Sequence, residues 1–103
     1  MEYYTLFYYV IEDYISRRTR YREEHLRLAQ EANRRGDLLL AGALSDPVDQ
    51  ALLVFRVSDR SIVEDFARSD PYVINGLVTK WEARPWTVVI GNEPADAPDR
   101  SVR

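Results

Sequence analysis

Residues 3–11 read Tyr3-Tyr4-Thr5-Leu6-Phe7-Tyr8-Tyr9-Val10-Ile11, an aromatic and β-branched run in which Thr5 is the one plainly polar member. Such a run predicts a strand. Alternation along it sends Tyr4, Leu6, Tyr8 and Val10 to one side and Tyr3, Phe7, Tyr9 and Ile11 to the other. Both sides are apolar, so both meet protein. Helices in one small domain cover a single side of a sheet, and the second apolar side points to a partner subunit.

Beyond this strand the periodicity changes. From Thr19 to Arg35 the spacing is helical, with Gly36 as the stop signal. Tyr21, His25, Leu28, Ala29 and Ala32 share one stripe, which turns the single histidine inward. The opposite face carries Arg20, Glu23, Glu24, Arg27, Glu31 and Arg34, with Glu23 four residues ahead of Arg27 in the favourable order for a solvated pair.

Two strands follow, Leu38 to Leu44 and Ala51 to Val57, joined by Ser45-Asp46-Pro47-Val48-Asp49-Gln50 as an antiparallel hairpin with Pro47 in its turn. Ser58 and Asp59 offer N-caps for a short amphipathic helix through Ile62, Val63, Phe66 and Ala67, and Ser61 with Glu64 has capping-box spacing. That helix ends near Ser69, because a residue before proline avoids the α region. Asp70 then caps a new turn with Pro71 in its first position, and Gly76 closes it. A last strand runs from Leu77 to Ile90 with Trp81 and Trp86, and Pro85 places it at a sheet edge or a bulge. Residues 1–90 thus form one domain, and the polar, two-proline stretch 91–103 is expected to be a flexible tail.

The order β, α, β, β, α, β is that of the α+β ferredoxin-like sandwich. Its helices lie on one face of the sheet, and the exposed aromatic face predicts a homodimer with sheets packed face to face.

Composition narrows the function. The chain of 103 residues has 17 Asp and Glu against 14 Lys and Arg, one His and no Cys. Without cysteine there are no disulfides and no thiolate metal sites. No apolar run approaches the roughly 20 residues of a membrane span, and the first residues are not those of a targeting segment, so a cytoplasmic setting without a membrane partner is expected. A net charge of −3 opposes general affinity for nucleic acid. The third strand, Ala51-Leu52-Leu53-Val54-Phe55-Arg56-Val57-Ser58, lacks the aromatic pattern of an RNA-binding ferredoxin-like sheet. There is no G-x-S-x-G elbow, no second histidine and no glycine-rich phosphate loop, which argues against serine hydrolysis, histidine-bound metal and a nucleotide cofactor and leaves a carboxylate-only magnesium site open.

The chemistry-bearing pair is His25 with Asp70. Asp70 follows Phe66 by four and Ala67 by three, and so prolongs the apolar side of its helix towards the neighbouring one. A carboxylate on an imidazole nitrogen fixes the tautomer and stabilises the imidazolium, as a general base requires. The plainer reading makes His25 a satisfied core histidine and Asp70 a helix cap. Arg22, three residues before His25, could meet an anionic substrate or be an ordinary exposed arginine. Tyr72 could donate to a phenolic or carbonyl oxygen or simply pack. Ser45 and Ser69 are the serines nearest by loop position, and Tyr4, Tyr8, Trp81 and Trp86 could line an aromatic pocket or serve core and dimer packing.

Tyr21-Arg22-Glu23-Glu24-His25-Leu26, Leu40-Ala41-Gly42-Ala43-Leu44, Asp70-Pro71-Tyr72-Val73 with Gly76, and Val78-Thr79-Lys80-Trp81-Glu82-Ala83-Arg84-Pro85-Trp86 resemble the YciI-like (YCII-related) family over residues 4 to 90. Ala43 departs from the family pattern, in which proline often follows the Ala-Gly pair. The resemblance implies a dimeric α+β barrel with an active site on a His–Asp dyad matching His25 and Asp70. It also implies cofactor-free chemistry of the kind performed by a dehydrochlorinase of chlorinated hydroxyhydroquinone. The expectation is a small lyase or isomerase acting on an aromatic or keto-acid-like molecule. The alternative is a non-catalytic module that binds a small ligand in the same pocket.

Overall fold

The computed structural model describes residues 1–91. Strand β1 (Glu2–Val10) is followed by a short helix α1 (Tyr14–Arg18), a 3₁₀ turn (Thr19–Tyr21) and helix α2 (Arg22–Arg34). Strands β2 (Leu38–Ala43) and β3 (Gln50–Val57) form the hairpin. Helices α3 (Arg60–Ser69) and α4 (Pro71–Ile74) lead into β4 (Val78–Trp86). The four strands make one antiparallel sheet in the order β2-β3-β1-β4, the ferredoxin-like arrangement expected from the element order.

Local chemistry explains the element ends. Both α2 and α4 stop on a left-handed glycine, Gly36 at φ 86° and Gly76 at φ 77°. In each case the following amide reaches back to the last turn, Asp37 N–H to Ala32 O at 3.0 Å and Leu77 N–H to Tyr72 O at 2.9 Å. These are Schellman closures, which need a residue tolerant of positive φ. Helix α3 is capped by Asp59, whose side chain accepts from Ser61 N–H at 3.2 Å. Ser61 is therefore inside the helix, and the capping box suggested by its spacing to Glu64 does not form.

Two boundaries differ from the sequence reading. Helical structure begins at Tyr14 instead of Thr19, and the side chain of Asp13 makes no capping hydrogen bond that would have marked the start. The last strand ends at Trp86 instead of Ile90, because Trp86 pairs with Tyr3 and β1 has only Glu2 left beyond it. Pro85 does lie on an edge strand, opposite Tyr4, where its missing N–H costs no ladder bond to a further strand. Of the expected tail, residues 92–103 lie outside the described residues.

The core lies between the sheet and its helices. Strand β3 alternates strictly, with Ala51, Leu53, Phe55 and Val57 buried under the helices and Leu52, Val54 and Arg56 half-buried on the other face. Leu6, Phe55, Val63, Ala67, Tyr72 and Leu77 are fully enclosed. Phe55 meets Phe66 edge-on at 5.3 Å and ties β3 to α3. Each such side chain contributes about 1.5–3 kcal/mol on burial. The opposite face presents Tyr3, Phe7, Tyr9, Leu52 and Val54, none fully buried, with Leu40 and Trp86 more exposed at its margins.

Candidate active site

Asp70 lies at the junction of α3 and α4, extended at φ −73° and ψ 123°, as an N-cap before Pro71 must be. Its side chain is fully buried and accepts from three donors. The backbone N–H of Tyr72 reaches Oδ1 at 2.9 Å, the Tyr8 hydroxyl reaches Oδ2 at 2.7 Å, and His25 Nδ1 lies 2.9 and 3.0 Å from the two oxygens. A carboxylate is acceptor-only, so neutral His25 carries its proton on Nδ1 and leaves the Nε2 lone pair on the opposite edge of the ring. Asp70 is thus at once the helix cap and the partner of the imidazole. The same carboxylate that caps the helix also holds the imidazole.

The ring of His25 is held from below by Tyr72, parallel within 9° and 3.8 Å between centroids. Tyr14 packs edge-on against Tyr72 at 5.6 Å. The Tyr72 hydroxyl is buried without a hydrogen-bond partner. Burial and the Tyr14 phenol push its pKa up, and the Arg22 and Arg18 guanidiniums partly offset this. Tyr8 is held well above the usual tyrosine range, first by burial and then by the charge of Asp70 and the hydrogen bond to it. It therefore stays a donor to Asp70 throughout the physiological range.

Beside this group lies a cavity of about 130 Å³. Tyr8, Ala51 and Leu53 of the sheet line it from one side, and Arg22, His25 and Ala29 of α2 from the other. Tyr14 and Arg18 of α1 and residues 41–43 of β2 complete its rim. The space exists because Ala29, Ala41, Ala43 and Ala51 each project no more than a methyl group.

Of the residues singled out in the sequence, His25, Asp70, Tyr8 and Arg22 come together. Tyr72 joins them as the platform beneath the imidazole, with its hydroxyl enclosed and not on the cavity wall, so it does not present the substrate donor expected of it. Ser45 is exposed in the hairpin loop and does not line the cavity, because β2 delivers Ala41, Gly42 and Ala43 to the rim and the chain then turns away. Tyr4 is buried in the core, Trp81 packs against the core's margin and Trp86 is on the uncovered face. Tyr14 and Arg18 were missed because the helix was started too late. Continuing the His25 stripe backwards through Arg22 in steps of four reaches both.

The fold and this site define a ferredoxin-like α+β protein with a half-buried histidine oriented by a buried carboxylate on a small cavity. The YCII-related domain model matches residues 1–87, and the chain belongs to that family. Among solved structures, it is similar to the 5-chloro-2-hydroxyhydroquinone dehydrochlorinase of Burkholderia phenoliruptrix in complex with 2,5-dihydroxybenzoquinone, with a TM-score of 0.72 at 13% identity over 88% of this chain and 99% of that one. It is also similar to a protein of Agrobacterium tumefaciens solved by structural genomics, with a TM-score of 0.58 at 16% identity over 87% of this chain and 95% of that one. At these identities the likeness is one of fold. No curated protein matches the chain. Among the described residues no three His, Asp or Glu side chains converge, and no helix is long and apolar enough to cross a membrane.

Proposed function

We propose that this protein is a small enzyme of general acid–base type, with His25 as the proton-transferring group and Asp70 as the residue that orients it. The observation that carries the reading is the contact of the buried Asp70 carboxylate with Nδ1 of the half-buried His25 at 2.9 Å, at the edge of a cavity that His25 itself lines. Nε2 takes a proton from a phenol or from a carbon next to a carbonyl, and the imidazolium so formed lies against the Asp70 carboxylate. In an elimination the freed electron pair expels a leaving group such as chloride. In an isomerisation the imidazolium returns the proton to another carbon. Arg22 supplies positive charge to the substrate at the cavity wall. The dehydrochlorinase with the same fold makes chlorinated hydroxyhydroquinones a natural first class to test, beside small phenolic and keto acids.

The same reading makes the protein a homodimer through the uncovered sheet face, where Thr5, Phe7, Leu52, Val54 and Trp86 border an apolar hollow. Light scattering is expected to give twice the 12.0 kDa chain mass.

The test is a substrate screen with wild type, His25→Ala and Asp70→Asn in parallel. Turnover is expected to fall by about 100-fold or more in both variants. A compound that binds wild type and is recovered unchanged, with equal binding to His25→Ala, would replace the enzyme by a binding module.

A further inference from the structure

The cavity wall carries a charge arrangement that the proton-transfer reading does not by itself require. Arg18 and Arg22 lie four residues apart across the short 3₁₀ turn, on the same side as His25, and both line the cavity. Like charges at this spacing repel along a helical face. Arg27 meets Glu24 at 3.5 Å, Arg35 meets Asp37 at 3.2 Å and Arg68 meets Asp65 at 3.6 Å, whereas Arg17, Arg20, Arg34, Arg60 and Arg84 have no ion pair among the described residues, so it is the cavity they line that sets Arg18 and Arg22 apart. Arg18 and Arg22 make no such pair among the described residues. Arg18 stands over the Tyr14 ring at 5.3 Å, and Arg22 lies close enough to Tyr72 to hold its hydroxyl's pKa down against burial. No acidic side chain lines the cavity, and Asp70 is enclosed behind the imidazole.

From this we infer that Arg18 and Arg22 form a carboxylate-binding subsite, so that the ligand is a small organic acid held by its carboxylate at the rim with its reactive part against His25. The inference rests on the proposed role of His25 for the second half of that statement and on the two arginines for the first. A guanidinium presents a planar fork of donors that fits a carboxylate in two parallel hydrogen bonds. Size follows from the volume. A cavity of about 150 Å³ holds one benzene ring, so the 130 Å³ present here admits a single ring or a short chain with its carboxylate outside, and excludes nucleotides or fused rings.

The test uses benzoate and pyruvate as probes, with benzamide as the uncharged counterpart of benzoate and inorganic phosphate as a competing anion. Binding is followed by calorimetry and by the NMR signals of the single imidazole. One or both acids are expected to bind saturably and to shift the His25 resonances, with benzamide at least about tenfold weaker than benzoate. Arg18→Gln and Arg22→Gln should each weaken the acid by about tenfold, and Arg22→Lys should recover part of the loss. Both positions are at the surface or near it, and an unchanged thermal midpoint shows that the variants fold. Calorimetric binding of the acids needs no turnover, which separates this subsite from the proton-transfer reading: acid binding that depends on the two arginines supports the subsite whether or not a substrate turns over. Equal affinity for benzamide and benzoate, wild-type affinity in the arginine variants, or no binding of either acid would each overturn the subsite whatever the fate of the catalytic reading. Phosphate binding tighter than both acids would make the occupant an inorganic oxyanion and overturn the organic-acid assignment.

Discussion

Tyr8 and Tyr9 are neighbours on β1, and each donates its phenolic hydrogen to a carboxylate, Tyr8 to Asp70 at 2.7 Å and Tyr9 to Glu82 at 3.1 Å. Strand alternation places the two pairs on opposite faces of the sheet. Tyr8 is enclosed beneath the helices with a carboxylate that serves two further donors, whereas Tyr9 is half-buried on the uncovered face, with Lys80 lying 5.4 Å over its ring. Both phenols are held above their ordinary pKa, but the leading cause differs: burial for Tyr8, the hydrogen bond to Glu82 for Tyr9. The same two functional groups thus make a rigid site on one face and an adjustable surface contact on the other. What separates them is water, which can replace a lost partner on the open face and cannot reach the enclosed one.

Removing the two acids should give the largest contrast. Asp70→Ala leaves the Tyr8 hydroxyl and the Tyr72 amide without an acceptor in the core and deletes the cap of α4, and urea unfolding should show a loss of about 3–5 kcal/mol. Glu82→Ala should leave the urea midpoint unchanged within error. Equal losses would break the comparison.

Next in size is the assembly of the open face. Phe7→Asp places a charge in the centre of the apolar hollow, and light scattering should show the variant as a monomer at concentrations where wild type is dimeric. A monomeric wild type would instead mean that this face meets solvent.

A smaller effect is expected from the phenols. Tyr8→Phe removes one buried hydrogen bond to a charged acceptor and should cost about 1.5–3 kcal/mol, with Tyr9→Phe losing less. The pH dependence has a defined sign. Because the folded-state pKa of Tyr8 is raised, its contribution is complete below the unfolded tyrosine value of about 10 and declines as pH rises above it. Stability measured from pH 9 to 11 should therefore fall more steeply in wild type than in Tyr8→Phe. Parallel slopes would show that burial of Tyr8 does not favour its neutral form.

The smallest structural change concerns the cavity itself. Ala43→Leu, at an exposed rim position, should change stability by less than about 0.5 kcal/mol while reducing ligand binding by occupying the space that the alanines leave open. Unchanged binding would move the ligand away from this rim.

Much of this was legible in the residues. The two-sided apolar strand, the glycine stops at Gly36 and Gly76, and the Asp70-Pro71 cap are local signals, each read within a few residues of itself. For His25 and Asp70 helical periodicity allows a contact between neighbouring helices and equally a core histidine with a plain cap, and it is the resemblance to the YCII-related family that favours the pair. The start of α1 carries an N-cap residue type in Asp13, but its side chain makes no capping hydrogen bond, and a reading that begins the helix at Thr19 leaves out Tyr14 and Arg18. For Tyr72 the sequence leaves a substrate donor and ordinary packing open, and only the tertiary structure shows its ring flat against the imidazole with its hydroxyl closed off.

The sequence by itself determined the order of strands and helices and the faces they bury, because periodicity, capping and turn chemistry act over a few residues. Only the tertiary structure decided that Tyr8, Asp70, His25 and Tyr72 share one buried cluster, that four alanines from three elements leave a cavity beside it, and that two arginines stand on its wall without acidic partners. These are properties of side chains as far apart in the chain as Tyr8 and Asp70, 62 residues, and their distances are set by how the sheet and helices pack.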